Sequence, residues 1–261
     1  MSTLLVYNIF AFVYGAIVGS FLNVCICRLP ENRSVVSPPS SCPSCGYRIR
    51  WYDNIPIASF LLLGGRCRSC KAPISIRYPL VELTNGLLTV MLFIKFGPTL
   101  TFLAFFLLCS ALVAVTFIDL DHQIIPDAIS LPGIVAGFAF SFFLPWLGWK
   151  ASLIGLLAGG GSLLLVAYGY QLLTGKEGMG GGDIKLLAMM GAFLGWKSIP
   201  FILFSASLVG SVIGVSVMLA RGRDSKLAIP FGPFLAFGAI LYIFYGSRII
   251  AWYLGLARPG G

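Results

Sequence analysis

Long uncharged apolar runs constrain this chain more than any single motif. They cover Leu4 to Cys27, Leu80 to Phe96, Leu100 to Ile118, Ile129 to Leu147, Ala151 to Leu173, Ile199 to Ala220 and Ile229 to Leu256. Each approaches or exceeds the roughly 20 residues that a helix needs to cross hydrocarbon. Charged residues make up only 10% of the chain and hydrophobic ones 58%, far from the roughly 25% charged of soluble domains. The expectation is an all-α polytopic membrane protein with about eight membrane helices, one of them the short stretch Ile184 to Gly195. The first run lacks a basic start and exceeds an ordinary signal-peptide core, so it reads as a retained helix.

The net charge of +9 reports topology rather than nucleic-acid binding. Residues 28–79 hold eight Lys/Arg: Arg28, Arg33, Arg48, Arg50, Arg66, Arg68, Lys71 and Arg77. Such an excess marks a cytoplasmic loop. Alternation then puts the N-terminus outside and places Lys176, Lys185, Arg221, Arg223 and Lys226 on the cytoplasmic side as well. Lys95, Lys150, Lys197, Arg248 and Arg258 fall at or near the outer face. The expected division is a first transmembrane helix at 1–27, a cytoplasmic metal-binding domain at 28–79 and a multi-helix membrane domain at 80–261.

The loop is too small to build a robust core unaided. It holds Cys42-Pro43-Ser44-Cys45 and Cys67-Arg68-Ser69-Cys70, two C-x2-C pairs separated by 21 residues. That spacing suits a four-thiolate structural zinc site with a folded insert between two knuckles. A redox pair is the competing reading, which the absence of a βαβ pattern disfavours. Cys25, Cys27 and Cys109 lie in apolar runs and read as small buried hydrophobes. In the first helix, Gly19 and Ser20 permit close packing, and Asn23 reads as a polar contact to a neighbouring helix.

Acids are scarce in the apolar regions, and acids at membrane depth are functional candidates by default. Asp183 follows the glycine-rich run Gly178-Met179-Gly180-Gly181-Gly182. Asp119 ends the run before Leu120-Asp121-His122, and Asp127 after Pro126 reads as an N-cap. Alternation puts Asp119 and Asp183 at one face. Two carboxylates sharing a site hold one proton between them, which is the requirement of aspartic-protease chemistry. Helix dipoles would favour charge on Asp183, at a helix start, and the proton on Asp119, at a helix end. Glu82, near the start of the second span, reads equally as structural or functional, with Arg77 as a possible ionic partner. A proton-coupled transporter using the same acids is the rival reading, but it leaves the cysteine knuckles unexplained.

These motifs together resemble bacterial type IV prepilin peptidases. The resemblance rests on GSFLNVCICRLP at 19–30, both knuckles, ISIRYPLVEL at 74–83, FIDLDHQIIPD at 117–127 and GMGGGDIKLLAMMGAFLGW at 178–196. It implies a multi-pass enzyme of the bacterial inner membrane with its active site facing the cytoplasm. Such an enzyme removes the leader of prepilins or type II secretion pseudopilins, then methylates the new N-terminus with S-adenosylmethionine. Asp119 and Asp183 match the family's two catalytic aspartates. Gly180, Gly182 and Lys185 match the motif around the second, which presenilin-like proteases share. Many members carry histidine where this chain has Cys27. No strand-led glycine fingerprint marks a methyl-donor site, so Arg77 and Glu82 are the residues expected there. A leader peptidase without methyl transfer is the narrower alternative. The expected partners are the substrate and the lipid bilayer, with no nucleic acid.

Overall fold

The computed structural model describes residues 2–176, 179–221 and 229–256. Gly178, Arg223, Lys226 and Arg258 lie outside the described residues, as do the topological expectations that use the last three. Ten α-helices account for most of what is described. They are α1 (Ser2–Arg28), α2 (Ala58–Leu62), α3 (Arg77–Phe96), α4 (Leu100–His122), α5 (Asp127–Ser141), α6 (Trp149–Thr174), α7 (Gly181–Leu194), α8 (Ser198–Arg221), α9 (Gly232–Leu241) and α10 (Ser247–Leu256). A single π-helical turn, Tyr242–Gly246, joins the last two. No strand occurs among the described residues, only isolated antiparallel bridges.

Among the described residues, six helical segments are long and apolar enough to cross a membrane: Leu4–Arg28, Arg77–Phe96, Leu100–His122, Trp149–Thr174, Ser198–Ala220 and Gly232–Tyr253. The all-α membrane architecture expected from the runs is therefore present. The run Ile129 to Leu147 does not make a full-length span, because α5 stops at Ser141. Pro145, without an N–H, and Gly148, at φ +67°, break the remainder into turns. The short stretch after Asp183 is α7, whose 14 residues extend about 21 Å.

The chain divides into two compact units, Met1–Ile118 and Asp119–Gly261. In the first, α1 and α3 pack through glycines. A Cβ at Gly19 would stand 2.8 Å from the Glu82 Cα, and one at Gly15 would strike Thr89. The small residues expected to permit close approach do so here. Polar groups then tie the helices together: Asn85 Nδ2 donates to Gly15 O at 2.7 Å, and Ser110 Oγ to Asn85 Oδ1 at 3.0 Å. Asn23 is buried and donates to Tyr78 O at 3.0 Å, the inter-helix contact expected of it.

In the second unit α7 is the central helix. Every residue from Leu186 to Leu194 is buried, the mark of a helix enclosed on all sides. Two glycine pairs at four-residue spacing admit it. Gly133 and Gly137 of α5 lie against Met189 and Phe193, and Gly155 and Gly159 of α6 lie against Gly191 and Leu187. Ser152 Oγ, also on α6, donates to Ala192 O at 2.6 Å. Lipid tails are as apolar as the helix surfaces, so association depends on this close contact.

A Cβ at Gly159 would lie 2.5 Å from Leu187 O, which is backbone and cannot swing away, whereas a Cβ at Gly161 meets nothing within 4 Å. Gly159→Ala should therefore destabilise the protein by about 1–3 kcal/mol through overpacking. Gly161→Ala should be neutral or stabilising by up to about 1 kcal/mol, since alanine is the better helix former. Thermal unfolding of both variants in one detergent checks the opposite signs.

Candidate functional site

Asp119 lies in the last turn of α4, and its side chain is only 5% exposed. The start of α9 answers that burial: Gly232 N–H donates to Asp119 Oδ2 at 2.9 Å. Pro233 follows at the second position of α9, where its missing N–H would have had no intrahelical partner anyway. The approach needs glycine, because a Cβ at Gly232 would stand 2.6 Å from Asp119 Oδ2. Asp183 is the third residue of α7, in its first turn, half-buried, with Oδ1 buried and lacking a hydrogen-bond partner. Asp119 and Asp183 lie close enough for each to bear electrostatically on the other.

The expected dipole asymmetry is incomplete. Asp119 does lie at the unfavourable end of α4, and Asp183 at the favourable start of α7. The start of α9 also faces Asp119, so two helix ends of opposite sign meet there.

The glycines around Asp183 have separate uses. A Cβ at Gly182 would lie 2.9 Å from the Ile125 Cβ, so Gly182 seats α7 against the connection that follows α4. Gly180 and Gly181 have open space where a Cβ would stand, leaving the backbone before Asp183 accessible. Lys185, two residues on, reaches Asp127 with Nζ to Oδ1 and Oδ2 at 2.6 and 2.8 Å. Asp127 was expected to cap α5. Instead Pro126 holds the cap position, no side-chain cap bond forms, and Asp127 spends both oxygens on Lys185. The pair is substantially exposed, so it orients α7 more than it stabilises the fold. Asp121 and His122 were expected in a polar connection; they complete the last turn of α4 and are exposed.

A cleft of about 320 Å³ opens beside the start of α9, lined by Ser207, Gly210, Ser211, Ile229, Phe231 and Phe234. Phe231 immediately precedes the glycine that holds Asp119. Sequence reasoning left Pro230-Phe231-Gly232-Pro233 unassigned. A glycine between prolines at a helix start was the available signal, but nothing in it points to Asp119.

The cysteine knuckles form a separate centre in the first unit. One ligand atom from each of Cys42, Cys45, Cys67 and Cys70 lies within 4.8 Å of all the others. The Cys42–Cys70 and Cys45–Cys67 sulfur pairs stand at 3.8 and 4.0 Å. A tetrahedron with metal–sulfur bonds of about 2.3 Å has edges of about 3.8 Å, so four thiolates at these positions fit one ion. The knuckles repeat each other: Cys42 N donates to Tyr47 O and Cys67 N to Ala72 O, at 2.9 and 2.8 Å. The residue after each second cysteine turns at positive φ, Gly46 at 69° and Lys71 at 60°. Backbone N–H groups of Ser44 and Cys45 pull the Cys42 thiol down to about 6. At Cys70 the Ala72 N–H is outweighed by the crowded sulfurs, which push that thiol up to about 11, so the four thiols titrate as one set.

Arg77 and Glu82 both lie at the start of α3. Arg77 Nη2 reaches Cys27 Sγ at 3.2 Å, and the Cys27 sulfur lies 3.7 Å from the Tyr78 hydroxyl. Glu82 is buried and accepts from Ile57 N–H at 2.7 Å. Glu82 therefore binds the insert between the knuckles.

Comparison with known proteins places this assembly. Residues 13–96 match the Bacterial Peptidase A24 N-terminal domain, and residues 106–215 the Type IV leader peptidase family. A prepilin leader peptidase/N-methyltransferase of Aeromonas hydrophila is 41% identical over 95% of this chain and 94% of its own. The chain belongs to this family. A Pseudomonas aeruginosa member of the same description is 41% identical over 93% of this chain and 92% of its own. One from Myxococcus xanthus is 44% identical over 83% of this chain and 65% of the relative. No solved structure matches the chain. The family's N-terminal region encloses both knuckles, and its peptidase region encloses both Asp119 and Asp183.

Metal removal tests the knuckle centre. An ion held there would substitute for a core that the loop lacks, so a strong chelator should unfold residues 28–76 while the membrane helices persist. Limited proteolysis with metal analysis checks this; a loop equally resistant after the metal is stripped would contradict it.

Proposed function

We propose that this chain is a membrane-embedded aspartic endopeptidase that removes prepilin leaders and then N-methylates the new N-terminus. Asp119 and Asp183 form its catalytic pair. The observation that carries this reading is the meeting of two acids in one compact unit, one buried at a helix end and bonded by Gly232, the other beside open backbone.

The chemistry needs no group beyond the pair. One carboxylate accepts a proton from water as its oxygen attacks the scissile carbonyl carbon. The protonated partner donates a hydrogen bond to the carbonyl oxygen, where charge develops. Collapse of the tetrahedral intermediate passes a proton to the leaving amine and breaks the C–N bond. Gly180 and Gly182 keep bulk away from the site, Lys185 orients the first turn of α7, and the cleft lined by Phe231 is a route for the substrate segment. A transporter would spread its acids through the membrane, whereas these two share one site.

The remaining assignments follow the same reading. The enzyme lies in the bacterial inner membrane, N-terminus outside and catalytic pair toward the cytoplasm. It divides into a first helix at 1–27, a metal loop at 28–79 and a protease domain at 80–261. Zinc in the Cys42, Cys45, Cys67 and Cys70 centre is structural, because four thiolates leave no open position. Substrates are type IV prepilins or related pseudopilins, presented from the bilayer. S-adenosylmethionine, when bound, supplies a methyl group carried on a sulfonium. Arg77 offers its carboxylate a cation, and Glu82 contributes by fastening the adjoining loop.

Purified protein, a prepilin and labelled methyl donor separate these roles. Asp119→Asn and Asp183→Asn should each lower cleavage by about 10³-fold or more, while a pre-cleaved peptide is still methylated. Arg77→Ala and Glu82→Ala should lose methylation and keep cleavage. Cleavage surviving either Asp→Asn change defeats the pair, and normal methylation by both Ala variants defeats the donor site. Gly232→Ala should lower kcat about 10- to 100-fold, since a misplacement of about 1 Å at a reacting group can cost about 10²-fold in rate. Its KM should change little.

A further inference from the structure

The insert between the knuckles has a composition that a metal loop does not need. Residues 55–63 read Ile-Pro-Ile-Ala-Ser-Phe-Leu-Leu-Leu, nine residues without a charge, closed by Gly64 and Gly65. They form the five-residue helix α2 and its flanks, yet build no core. Leu61 is 69% exposed and Leu62 86% exposed, and no residue of α2 is buried. Trp51, just before the insert, is 81% exposed.

Two observations say what covers this surface. The first is its fastening point. Ile57 N–H, at the start of α2, donates to Glu82 Oε2 at 2.7 Å. Glu82 is the sixth residue of α3, a membrane-crossing segment that begins at Arg77, so it stands about 7.5 Å along the helix axis from that start. A Cβ at Gly19 of α1 would stand 2.8 Å from the Glu82 Cα, so the bond holds the insert beside the contact of two membrane helices. Ile57 adopts φ +61° to make this contact, a conformation that a β-branched residue avoids unless its surroundings impose it.

The second is charge. Arg48, Arg50, Arg66, Arg68 and Lys71 flank the insert, against Asp53 as the one acid between residues 40 and 76. Asp53 is already paired with Arg68 at 2.6 Å. Arg50 and Arg68 lie over the Tyr52 ring at 5.8 and 5.4 Å. Apolar tips beside cations and aromatic rings are the composition of a segment lying in a bilayer interface, and each cation near an anionic surface is worth about 1 kcal/mol.

We infer that residues 55–63 are an interfacial anchor: Leu61 and Leu62 enter the headgroup–acyl boundary of the bilayer that α1 and α3 cross, and the flanking cations meet anionic lipid headgroups. The metal centre is thereby held flat on the membrane by its own insert. This rests on the chain being a membrane protein and is independent of which residues cleave or methylate.

The test places a reporter at the tip of the full-length protein. Leu62→Trp is reconstituted with bound metal into nanodiscs of phosphatidylcholine, with and without phosphatidylglycerol, and its emission is read as the difference from wild type. The added tryptophan should emit blue-shifted, and lipids brominated on the acyl chain should quench it at least twofold more than a water-soluble quencher does. Phosphatidylglycerol should deepen the quenching, and Arg48→Gln with Arg50→Gln should remove that increment. Emission at the wavelength of water-exposed indole, without bromine quenching, overturns the inference. So does a blue shift that bromolipid leaves untouched, which would mean that another protein surface or a second copy covers the insert. Metal content equal to wild type shows that the variant loop is folded.

Discussion

A carboxylate taken out of water needs a donor, and the site is arranged around that requirement at Asp119. Its burial at the end of α4 would be costly if its oxygens met only apolar groups and helix-end carbonyls. The start of α9 supplies a backbone N–H at 2.9 Å and the positive end of a helix. Glycine at that position allows the approach, and the proline after it gives up an N–H that the helix would not have used. Helix α9, which contains no acid or base, thus reaches Asp119 through its backbone.

The same economy of bulk governs the second acid. Asp183 sits on a helix of only 14 residues, which hydrocarbon would not hold in place by length. Enclosure does so instead: glycines of α5 and α6 bring those helices onto α7 closely enough for dispersion and a serine–carbonyl bond to act. At the N-terminal end, Gly182 against Ile125 and Lys185 against Asp127 set where the first turn begins. Asp183 itself is left with an unsatisfied buried oxygen and open backbone before it. That is a poor arrangement for stability, and it leaves the backbone beside the acid approachable.

The metal loop solves a different problem. Between Arg28 and Arg77 the chain has too few apolar residues facing inward to fold by burial alone. Four cysteines at a spacing that fits one ion stand where a core would be, and repeated backbone bonds at the knuckles fix their positions. At α2, Leu61 and Leu62 are turned outward. Glu82 reaches across to the backbone N–H of Ile57, so a buried acid of the membrane helix serves the loop.

Much of this was legible in the residues. Apolar run lengths determined the helical membrane class, because hydrocarbon admits few other backbones. Cysteine spacing determined the knuckles, since local chain geometry suffices to form each half. Scarcity of acids singled out Asp119 and Asp183. What the sequence left open depended on contacts between distant segments: Gly232 on Asp119, Asp127 on Lys185, Glu82 on Ile57, and the glycine seams that enclose α7. In each, the residue type allows several partners, and only the packing of helices far apart in the chain selects one. The same reason explains the truncated α5 and the misread cap at Asp127. Local propensity proposed an ordinary helix start, and the proximity of Lys185 claimed the carboxylate instead.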